Sequence, residues 1–366
     1  MTRAAGTPIE RVTAAVYVVP TDAPESDGTF TWDATTMVIV EATAGGSAGI
    51  GYTYASDAAA AFVRSPLATA VTGLDAFDLN AAWTAMTVAL RNNGRPGIAS
   101  SALSAVDAAL WDLKGRLTGL SVVSLLGAAR DSVPVYGSGG FTSYTIERLQ
   151  AQLGGWVAEG IGRVKMKIGR HPRDDIARVR AARAAIGDAE LFVDANGAYT
   201  RKQALSQAEA FAGQGVCWFE EPVSSDDLEG LALLVDRLPP GMAVAAGEYG
   251  YDAYYFRRML QARAVDVLQA DATRCGGITG FLKAAALCEA WNAPLSAHTA
   301  PSIHAHVCAA IAGVQHIEYF HDHARIEQMF FDGAARPSNG ALRPDRARPG
   351  LGLELKRADA ERFRHE

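Results

Sequence analysis

The sequence predicts an α/β protein in which a closed parallel barrel follows a smaller α+β domain. Eight short apolar runs recur at intervals of about 25 residues from Val133 onward, and helical segments separate nearly all of them. The region before them opens with β-branched segments and continues as a run of helices, which is the pattern of a separate α+β domain. An open doubly wound sheet is the alternative, but eight such units in a row favour closure.

The first domain is predicted over residues 1–128. Residues 11–20 and 36–43 are rich in β-branched residues and predict two strands. We expect the polar stretch between them, Thr21 to Asp33, to be a mobile loop, because it contains Gly and Pro and lacks an apolar period. From about Asp57 to Leu117 the spacing of apolar residues is helical.

The barrel is predicted over residues 129–320 and a C-terminal segment over residues 321–366. The strand candidates begin at Val133, Val164, Glu190, Val216, Met242, Val265, Ala293 and Val314. The tail has no strong period, and we expect it to pack back on the first domain.

Composition restricts the partners and the compartment. The 366 residues are 49% hydrophobic and 20% charged, which is typical of a globular protein with a large core. The net charge of −6 argues against a nucleic-acid or membrane-surface partner, and no run of 18 apolar residues predicts a membrane span. The N-terminus lacks a signal-peptide pattern. The four cysteines lie in hydrophobic contexts without metal-binding spacing, so we expect reduced thiols in a cytoplasmic protein.

A polar residue lies at the C-terminal end of each strand candidate from the second one onward. In chain order they are Lys167, Asp194, Glu220, Glu248, Asp271, His298 and Glu318. Since neighbouring members are about one strand–helix unit apart, they should meet at the C-terminal mouth of the barrel, where active sites of this fold lie. A single acid of this kind would be read as a surface residue, but the whole series indicates a site.

Three of these positions predict a metal site. Asp194, Glu220 and Glu248 would lie on adjacent strands, where their charges repel unless a cation binds. Oxygen ligands without Cys or His favour a hard ion, Mg²⁺ first and Mn²⁺ second. We choose Glu220 over Glu221 because Glu220 directly follows its strand, whereas Glu221 should face the other way.

Two lysines, Lys165 and Lys167, should point the same way from one strand, about 7 Å apart. An edge strand facing solvent is one interpretation, but the acids that follow favour a catalytic role. We expect repulsion and burial to lower a lysine pKa, which would give a neutral base near pH 7.

The roles of the polar residues that end the last three strands are less narrowly defined by the sequence. Asp271 and His298 end neighbouring strands, so a carboxylate–imidazole pair is predicted, although His298 could instead cap the next helix. Glu318 is either a protonated carboxyl that donates to a developing oxyanion or a salt-bridge partner. The run His321 to His323 could mimic a second metal site, but we place it in an irregular stretch beyond the last strand.

Together these motifs resemble the enolase superfamily, in its mandelate racemase-like subgroup. The resemblance covers nearly the whole chain and includes VKMKIG, VDANG, WFEEP, AGE, ADATRCGGITG and SAHTAPS. It implies a modified TIM barrel, (β/α)₇β, under an N-terminal α+β capping domain. It also implies that Mg²⁺ is held by the positions Asp194, Glu220 and Glu248.

The same resemblance implies roles for the remaining strand ends. Lys167 matches one base, and His298 with Asp271 matches the second acid/base on the other side of the substrate. Lys165 matches the lysine that helps to neutralise the substrate carboxylate. Glu318 is similar to the acid that hydrogen-bonds the enolate. Relatives that catalyse cycloisomerisation or dipeptide epimerisation carry a lysine base after strand six, which this region lacks, and this argues against those activities.

The implied reaction is removal of the proton α to a carboxylate. We expect dehydration of an acid sugar to a 2-keto-3-deoxy acid, with racemisation or epimerisation of a 2-hydroxy acid as the alternative. An aldolase with Lys167 as a Schiff-base amine is a distant alternative, and a non-catalytic binding protein is disfavoured because every needed position is filled. The side chains that favour a polyol substrate are Ser138, Thr142, Asn196, Arg274 and Thr299.

The sequence also predicts which residues set substrate specificity and which partners the protein has. Specificity should come from the stretch Thr21 to Asp33, from Tyr52 and Tyr54, and from the neighbours of the strand ends. The expected partner is a small-molecule carboxylate, and the resemblance implies a homo-oligomer.

Overall fold

The computed structural model describes residues 6–365, which begin with an antiparallel sheet. The strands of this sheet are β1 (Arg11–Ser26), β2 (Thr31–Ala44) and β3 (Ser47–Tyr54). They pair in chain order, with one break in register between Pro20 and Glu25. β-branched residues favour these strands because they pack well on a pleated, half-buried surface.

The predicted mobile loop from Thr21 to Asp33 is instead the end of the β1–β2 hairpin, so this prediction was wrong. The carboxylate of Asp27 accepts the backbone N–H of Phe30 at 2.7 Å and closes the turn. The Trp32 ring packs edge-on against Phe141 of the barrel at 5.5 Å between centroids. Such tertiary contacts outweigh the low strand propensity of Gly, Pro and Asp.

Helices follow this sheet and cover one of its faces. They are α1 (Ala58–Phe62), a π-helical turn (Val63–Leu67), α2 (Ala68–Val71), α3 (Leu79–Ala89), α4 (Ile98–Thr118) and α5 (Val122–Leu126). The long helix α4 lies directly on β3. At Gly51 a Cβ atom would collide with the carbonyl oxygen of Ala105, so glycine is what permits this close approach.

The second part of the chain is the predicted closed parallel barrel. Within residues 6–365 its eight strands are β4 (Val133–Gly139), β5 (Arg163–Lys167), β6 (Glu190–Asp194), β7 (Val216–Glu220), β8 (Ala243–Ala246), β9 (Val267–Ala270), β10 (Leu295–Ala297) and β11 (Val314–Phe320). Each strand pairs in parallel with the next, and β11 pairs with β4 to close the ring. The sequence prediction of the fold class is therefore confirmed.

Helices connect the strands and form the outer layer of the barrel. They are α6 (Ile146–Ala158), α7 (Asp175–Ile186), α8 (Arg201–Ala212), α9 (Leu228–Arg237), α10 (Ala253–Gln261), α11 (Gly277–Trp291) and α12 (Pro301–Ala309). Their apolar faces and the outward side chains of the strands form one large core. No helix among residues 6–365 is long and apolar enough to cross a membrane.

The tail returns to the first sheet. Its elements are α13 (His321–Phe330), β12 (Phe331–Asp332), β13 (Ala341–Leu342), β14 (Glu354–Leu355), α14 (Arg357–Glu361) and β15 (Arg364–His365). Strand β15 pairs antiparallel with β1, and Val16 faces His365. The run His321 to His323 is the first turn of α13 and not an irregular stretch, which corrects the prediction. The limits at residues 128/129 and 320/321 stay a prediction.

One buried carboxylate joins the sheet, the long helix and the tail. Asp112 of α4 is fully buried and accepts the backbone N–H of Ile50 at 2.7 Å and of Leu351 at 2.6 Å. The guanidinium of Arg116 donates to the same carboxylate at 2.7 Å. Three donors from three segments therefore depend on one side chain.

We predict that Asp112→Ala destabilises the protein by about 2–4 kcal/mol, because it leaves two buried backbone N–H groups without an acceptor. The measurement is the midpoint of thermal unfolding by calorimetry. The control is Glu361→Ala, which removes only an exposed ion pair to Arg364 and should change stability by less than about 0.5 kcal/mol. Equal shifts in the two variants would contradict the role of Asp112.

Candidate active site

The three predicted metal ligands meet at the C-terminal mouth of the barrel. Asp194 and Glu220 end neighbouring strands and face each other in register, and Glu248 lies two residues beyond β8. One carboxylate oxygen from each lies within 4.8 Å of the others, and all three residues are buried. The backbone of the barrel therefore places three acids around one point.

The three carboxylates of this trio differ in their electrostatic surroundings. Burial and the neighbouring Asp194 raise the pKa of Glu220 to about 8. Burial also raises the pKa of Glu248, but His298 and Arg274 outweigh it and hold that pKa well below its usual range. The Oε2 atom of Glu248 is buried, and no hydrogen-bond partner for it is found in residues 6–365; His298 Nε2 lies 3.2 Å from it without hydrogen-bond alignment. An oxygen-only donor set with this orphaned atom fits a hard divalent cation.

Glu221 is also buried, but it is not part of this ligand group. Its backbone has a left-handed φ of 36°. Burial, and to a smaller extent the negative charge of Glu248, raise the pKa of Glu221 well above its usual range. The chain therefore turns away at Glu221, and the group that the sequence selected, Glu220, is the one beside Asp194.

The two lysines lie under and beside the acids. Lys165 is fully buried, with its Nζ 2.6 Å from Glu220 and 2.8 Å from Glu318. The Nζ of Lys167 donates to Asp194 at 2.5 Å. The structure thus brings both lysines into contact with the metal-ligand group.

The expected low lysine pKa is not found, and this prediction was wrong. Burial lowers the pKa of Lys165, but Glu220 and Glu318 outweigh it and raise that pKa well above its usual range. For Lys167, burial is outweighed by Asp194, which raises the pKa. The carboxylates that each ammonium touches outweigh the repulsion between the two lysines on which the prediction rested.

His298 and Asp271 lie in direct contact on the other side of the mouth. The Nδ1 atom of His298 is 2.9 Å from Asp271. Asp271 also accepts the backbone N–H and the hydroxyl of Thr273 at 2.6 and 2.7 Å. Burial raises the pKa of Asp271, but the hydrogen bond from His298 outweighs it and lowers that pKa. An ionised, held carboxylate therefore orients the imidazole.

The free nitrogen of His298 faces the site. Its Nε2 atom lies 3.2 Å from Glu248 and 3.7 Å from Glu318. Burial lowers the pKa of His298, but these two carboxylates outweigh it and raise that pKa to about 9. The ring can therefore carry a proton at the atom that points to the reacting groups.

Glu318 is held as an ion-pair partner. Burial raises its pKa, but Lys165 and His298 outweigh it and lower that pKa well below its usual range. Its Oε2 atom also accepts the backbone N–H of Thr299 at 3.2 Å. Of the two interpretations left open by the sequence, these contacts favour the salt bridge over a protonated donor.

One histidine of α12, His304, supports this arrangement from behind. His304 accepts the backbone N–H of Ala272 at 3.0 Å through Nε2, and its Nδ1 donates to the carbonyl of Thr299 at 2.7 Å. It therefore ties the loop after Asp271 to the loop after His298.

A cavity of about 190 Å³ opens above these groups. The groups already described that line it are Lys167, Glu248, His298 and Glu318. The further barrel and tail residues that line it are Asn196, Tyr249, Arg274, Thr299, Phe320 and His323. The β1–β2 hairpin adds Asp27, Trp32 and Thr35. A small polar acid suits a cavity of this size and lining.

The predicted specificity residues are only partly on this wall. Asn196, Arg274 and Thr299 line the cavity, as does part of the stretch Thr21 to Asp33. Ser138 lies inside the barrel, and Thr142 instead binds the hairpin through the Ser26 hydroxyl at 2.6 Å. The contributions of Thr35, Phe320 and His323 were missed, because only the tertiary fold brings the hairpin and α13 to the mouth.

The two tyrosines, Tyr52 and Tyr54, are not among the residues that line the cavity, and they contact it through other residues. The hydroxyl of Tyr52 donates to the buried Glu327 at 2.6 Å. The Tyr54 ring stacks on His323 at 3.4 Å between centroids. Tyr54 therefore positions a residue of the cavity wall, and Tyr52 joins the first sheet to α13.

Comparison with known proteins agrees with this geometry. Residues 11–127 match the model of the mandelate racemase / muconate lactonizing enzyme N-terminal domain, and residues 148–360 match the enolase C-terminal domain-like model. A 3,6-anhydro-alpha-L-galactonate cycloisomerase of Streptomyces coelicolor is 34% identical over 95% of this chain and 98% of its own length.

Solved structures of similar proteins have the same fold. A mandelate racemase/muconate lactonizing enzyme-like protein from Rubrobacter xylanophilus superposes with a TM-score of 0.96 and is 56% identical, over 98% of this chain and all of that one. An L-talarate dehydratase from Polaromonas sp. JS666, complexed with Mg and L-glucarate, has a TM-score of 0.88 at 33% identity, over 98% of both chains. The chain therefore belongs to the mandelate racemase / muconate lactonizing enzyme family of the enolase superfamily.

Proposed function

We propose that this enzyme removes the proton α to the carboxylate of an acid sugar and dehydrates it to a 2-keto-3-deoxy acid. The observation that carries the proposal is the position of Lys167 and of the His298–Asp271 pair beside a buried three-carboxylate site. The small polar cavity above them supports an acid with several hydroxyl groups as the substrate.

Asp194, Glu220 and Glu248 would hold Mg²⁺, with Mn²⁺ as the second choice. When bound, such an ion supplies positive charge that stabilises the second negative charge developing on the substrate carboxylate. Lys165 adds a fixed positive charge from below, and Glu318 keeps this lysine in place. Without this support the α-proton is too weakly acidic to be removed near neutral pH.

Lys167 and His298 would act as the two acid/base groups. The carboxylate of Asp194 holds the Lys167 amine beside the cavity. With Mg²⁺ bound, Asp194 would be one of its ligands, and the nearby positive charge would lower the pKa of Lys167. His298 is oriented by Asp271 with Nε2 toward the site. After proton removal by Lys167, His298 can donate its proton to the departing hydroxyl group, which leaves as water.

Racemisation or epimerisation stays the alternative, since the same two groups could return a proton to the opposite face of the α-carbon. The polar wall formed by Asn196, Arg274 and Thr299 favours dehydration, because an aryl substrate would need an apolar wall. The relative complexed with Mg and L-glucarate is also a dehydratase.

Cycloisomerisation of a sugar-derived acid is a second candidate, favoured by the cycloisomerase that matches over 95% of the chain. The absence of a lysine after strand six excludes only a catalytic lysine base at that strand. Lys167 or His298 could open a ring by the same proton removal. The sequence prediction against this activity therefore does not extend to ring opening by Lys167 or His298.

A Schiff-base aldolase finds no support in the site. That mechanism uses no group of metal-binding carboxylates, whereas Asp194, Glu220 and Glu248 lie around one point beside Lys167. A small carboxylate partner, a homo-oligomeric state and a cytoplasmic location remain part of the proposal.

We predict that each of Asp194→Asn, Glu220→Gln and Glu248→Gln lowers Mg²⁺ affinity by about tenfold or more, because each removes a charged ligand. Isothermal calorimetry on the metal-free protein measures this, and a chelator should abolish turnover. The control is the exposed Asp226→Asn, which should leave the affinity unchanged. The ligand assignment fails if all three site variants bind Mg²⁺ as the wild type does.

We predict that Lys167→Ala and His298→Asn affect proton exchange differently. Each should lower turnover by about 10²–10⁴-fold, because each removes one acid/base group. Exchange of the α-proton in deuterated buffer, followed by NMR, should survive in only one variant for a given α-epimer. Lys202→Ala, at an exposed position, should behave as the wild type. Equal exchange by both site variants on both epimers would exclude the two-base arrangement.

We predict that a panel of acid sugars incubated in deuterated buffer gives a 2-keto-3-deoxy acid from at least one member. The keto acid can be detected by semicarbazide derivatisation. If α-deuterium enters with inversion and no keto acid forms from any substrate, the enzyme is a racemase or epimerase. If only an anhydro acid or a lactone is converted, it is a cycloisomerase.

A further inference from the structure

A second group of metal-ligating side chains lies outside the cavity, where the β1–β2 hairpin meets α13. Its members are Asp22 and Glu25 of β1 and His321, the first residue of α13. One ligand atom from each lies within 4.8 Å of the others. The Nε2 atom of His321 is 3.1 Å from Asp22.

Glu25 is the member that its surroundings leave incomplete. It is fully buried, and one of its oxygens, Oε2, accepts the indole N–H of Trp32 at 2.8 Å. The other oxygen, Oε1, has no hydrogen-bond partner among residues 6–365. If Glu25 is ionised, Oε1 has no hydrogen-bond donor, and if Oε1 carries a proton, that proton has no acceptor. Buried polar atoms of proteins are rarely left in this state.

The neighbouring cations pair with carboxylates other than Glu25. Arg148 reaches Asp22 at 3.2 Å, and Arg325 donates to Asp322 at 2.5 Å. Burial and the charge of Asp322 raise the pKa of Glu25 to about 8. Glu25 thus lies among acids, and within residues 6–365 neither of these arginines forms an ion pair with it.

We propose that Asp22, Glu25 and His321 form a second divalent-cation site, which takes a borderline ion of the zinc class. One imidazole nitrogen and two carboxylate oxygens leave a fourth position for water, as tetrahedral zinc requires. The imidazole distinguishes this group from the all-oxygen group of the mouth, which favours Mg²⁺. The side chains of Asp22 and His321 are 40% and 23% exposed, so an ion can enter from solvent.

An ion at this site would fasten the hairpin over the active-site cavity. Asp27 and Trp32, just beyond Glu25, line the cavity, as do Phe320 and His323 on either side of His321. Its role is therefore structural, and it does not depend on which reaction the mouth catalyses.

The test measures zinc binding in a protein whose mouth site is disabled by Asp194→Asn and Glu248→Gln. Calorimetry should show one Zn²⁺ per chain in this background, and ZnCl₂ should raise the thermal unfolding midpoint. Adding Glu25→Gln or His321→Gln should each lower the zinc affinity at least about tenfold. The matched control is His171→Gln, which removes an exposed histidine and should change nothing.

Two results would overturn the proposal. One is an absence of zinc binding in the disabled background, which would show that the group is a hydrogen-bonded cluster only. The other is zinc binding that survives His321→Gln, which would place the ion elsewhere. Because His321 is partly exposed, this variant stays informative even if Glu25→Gln fails to fold.

Discussion

The rest of the structure depends on the balance of buried charge at the barrel mouth. Asp194, Glu220, Glu248 and Glu318 lie beside Lys165, Lys167 and His298 in a region that excludes most water. At low dielectric neither sign is stable alone, because desolvation of a charge costs more than packing returns. Each cation therefore touches at least one carboxylate. Asp194 nevertheless raises the pKa of Glu220, so the ligand carboxylates repel one another, and a divalent ion between them would relieve this repulsion.

The barrel makes this concentration of charge possible. Lys167 pairs in register with Asp194, and Asp194 with Glu220, so hydrogen-bonded strands hold the groups at fixed spacing. The hairpin of the first sheet closes the mouth from above, and α13 closes it from the side. Catalytic groups thus lie on rigid strand ends, while the residues around a substrate come from elements that differ in length and sequence.

The sequence predicted the barrel and its strand-end residues because both follow from local patterns. Short apolar runs, each followed by a polar residue at its C-terminal end, are visible without a structure. Closure of the barrel brings those C-terminal ends together. It failed where contacts distant in sequence decide the outcome. The hairpin was taken for a loop because Trp32 is ordered by Phe141 of the barrel. The lysine pKa direction was wrong because it depends on which carboxylates each ammonium touches. Thr35 and His323 could not be assigned to the cavity, because no local pattern links them to it.

The central claim is that the substrate α-carbon lies between Lys167 and His298, and a crystal structure with Mg²⁺ and a non-reactive acid-sugar analogue tests it most directly. We expect the ion on Asp194, Glu220 and Glu248. We also expect Lys167 Nζ and His298 Nε2 each about 3–4 Å from the α-carbon, on opposite faces. An analogue bound with both groups on one face of the α-carbon, or with either side chain turned away from it, would contradict the account.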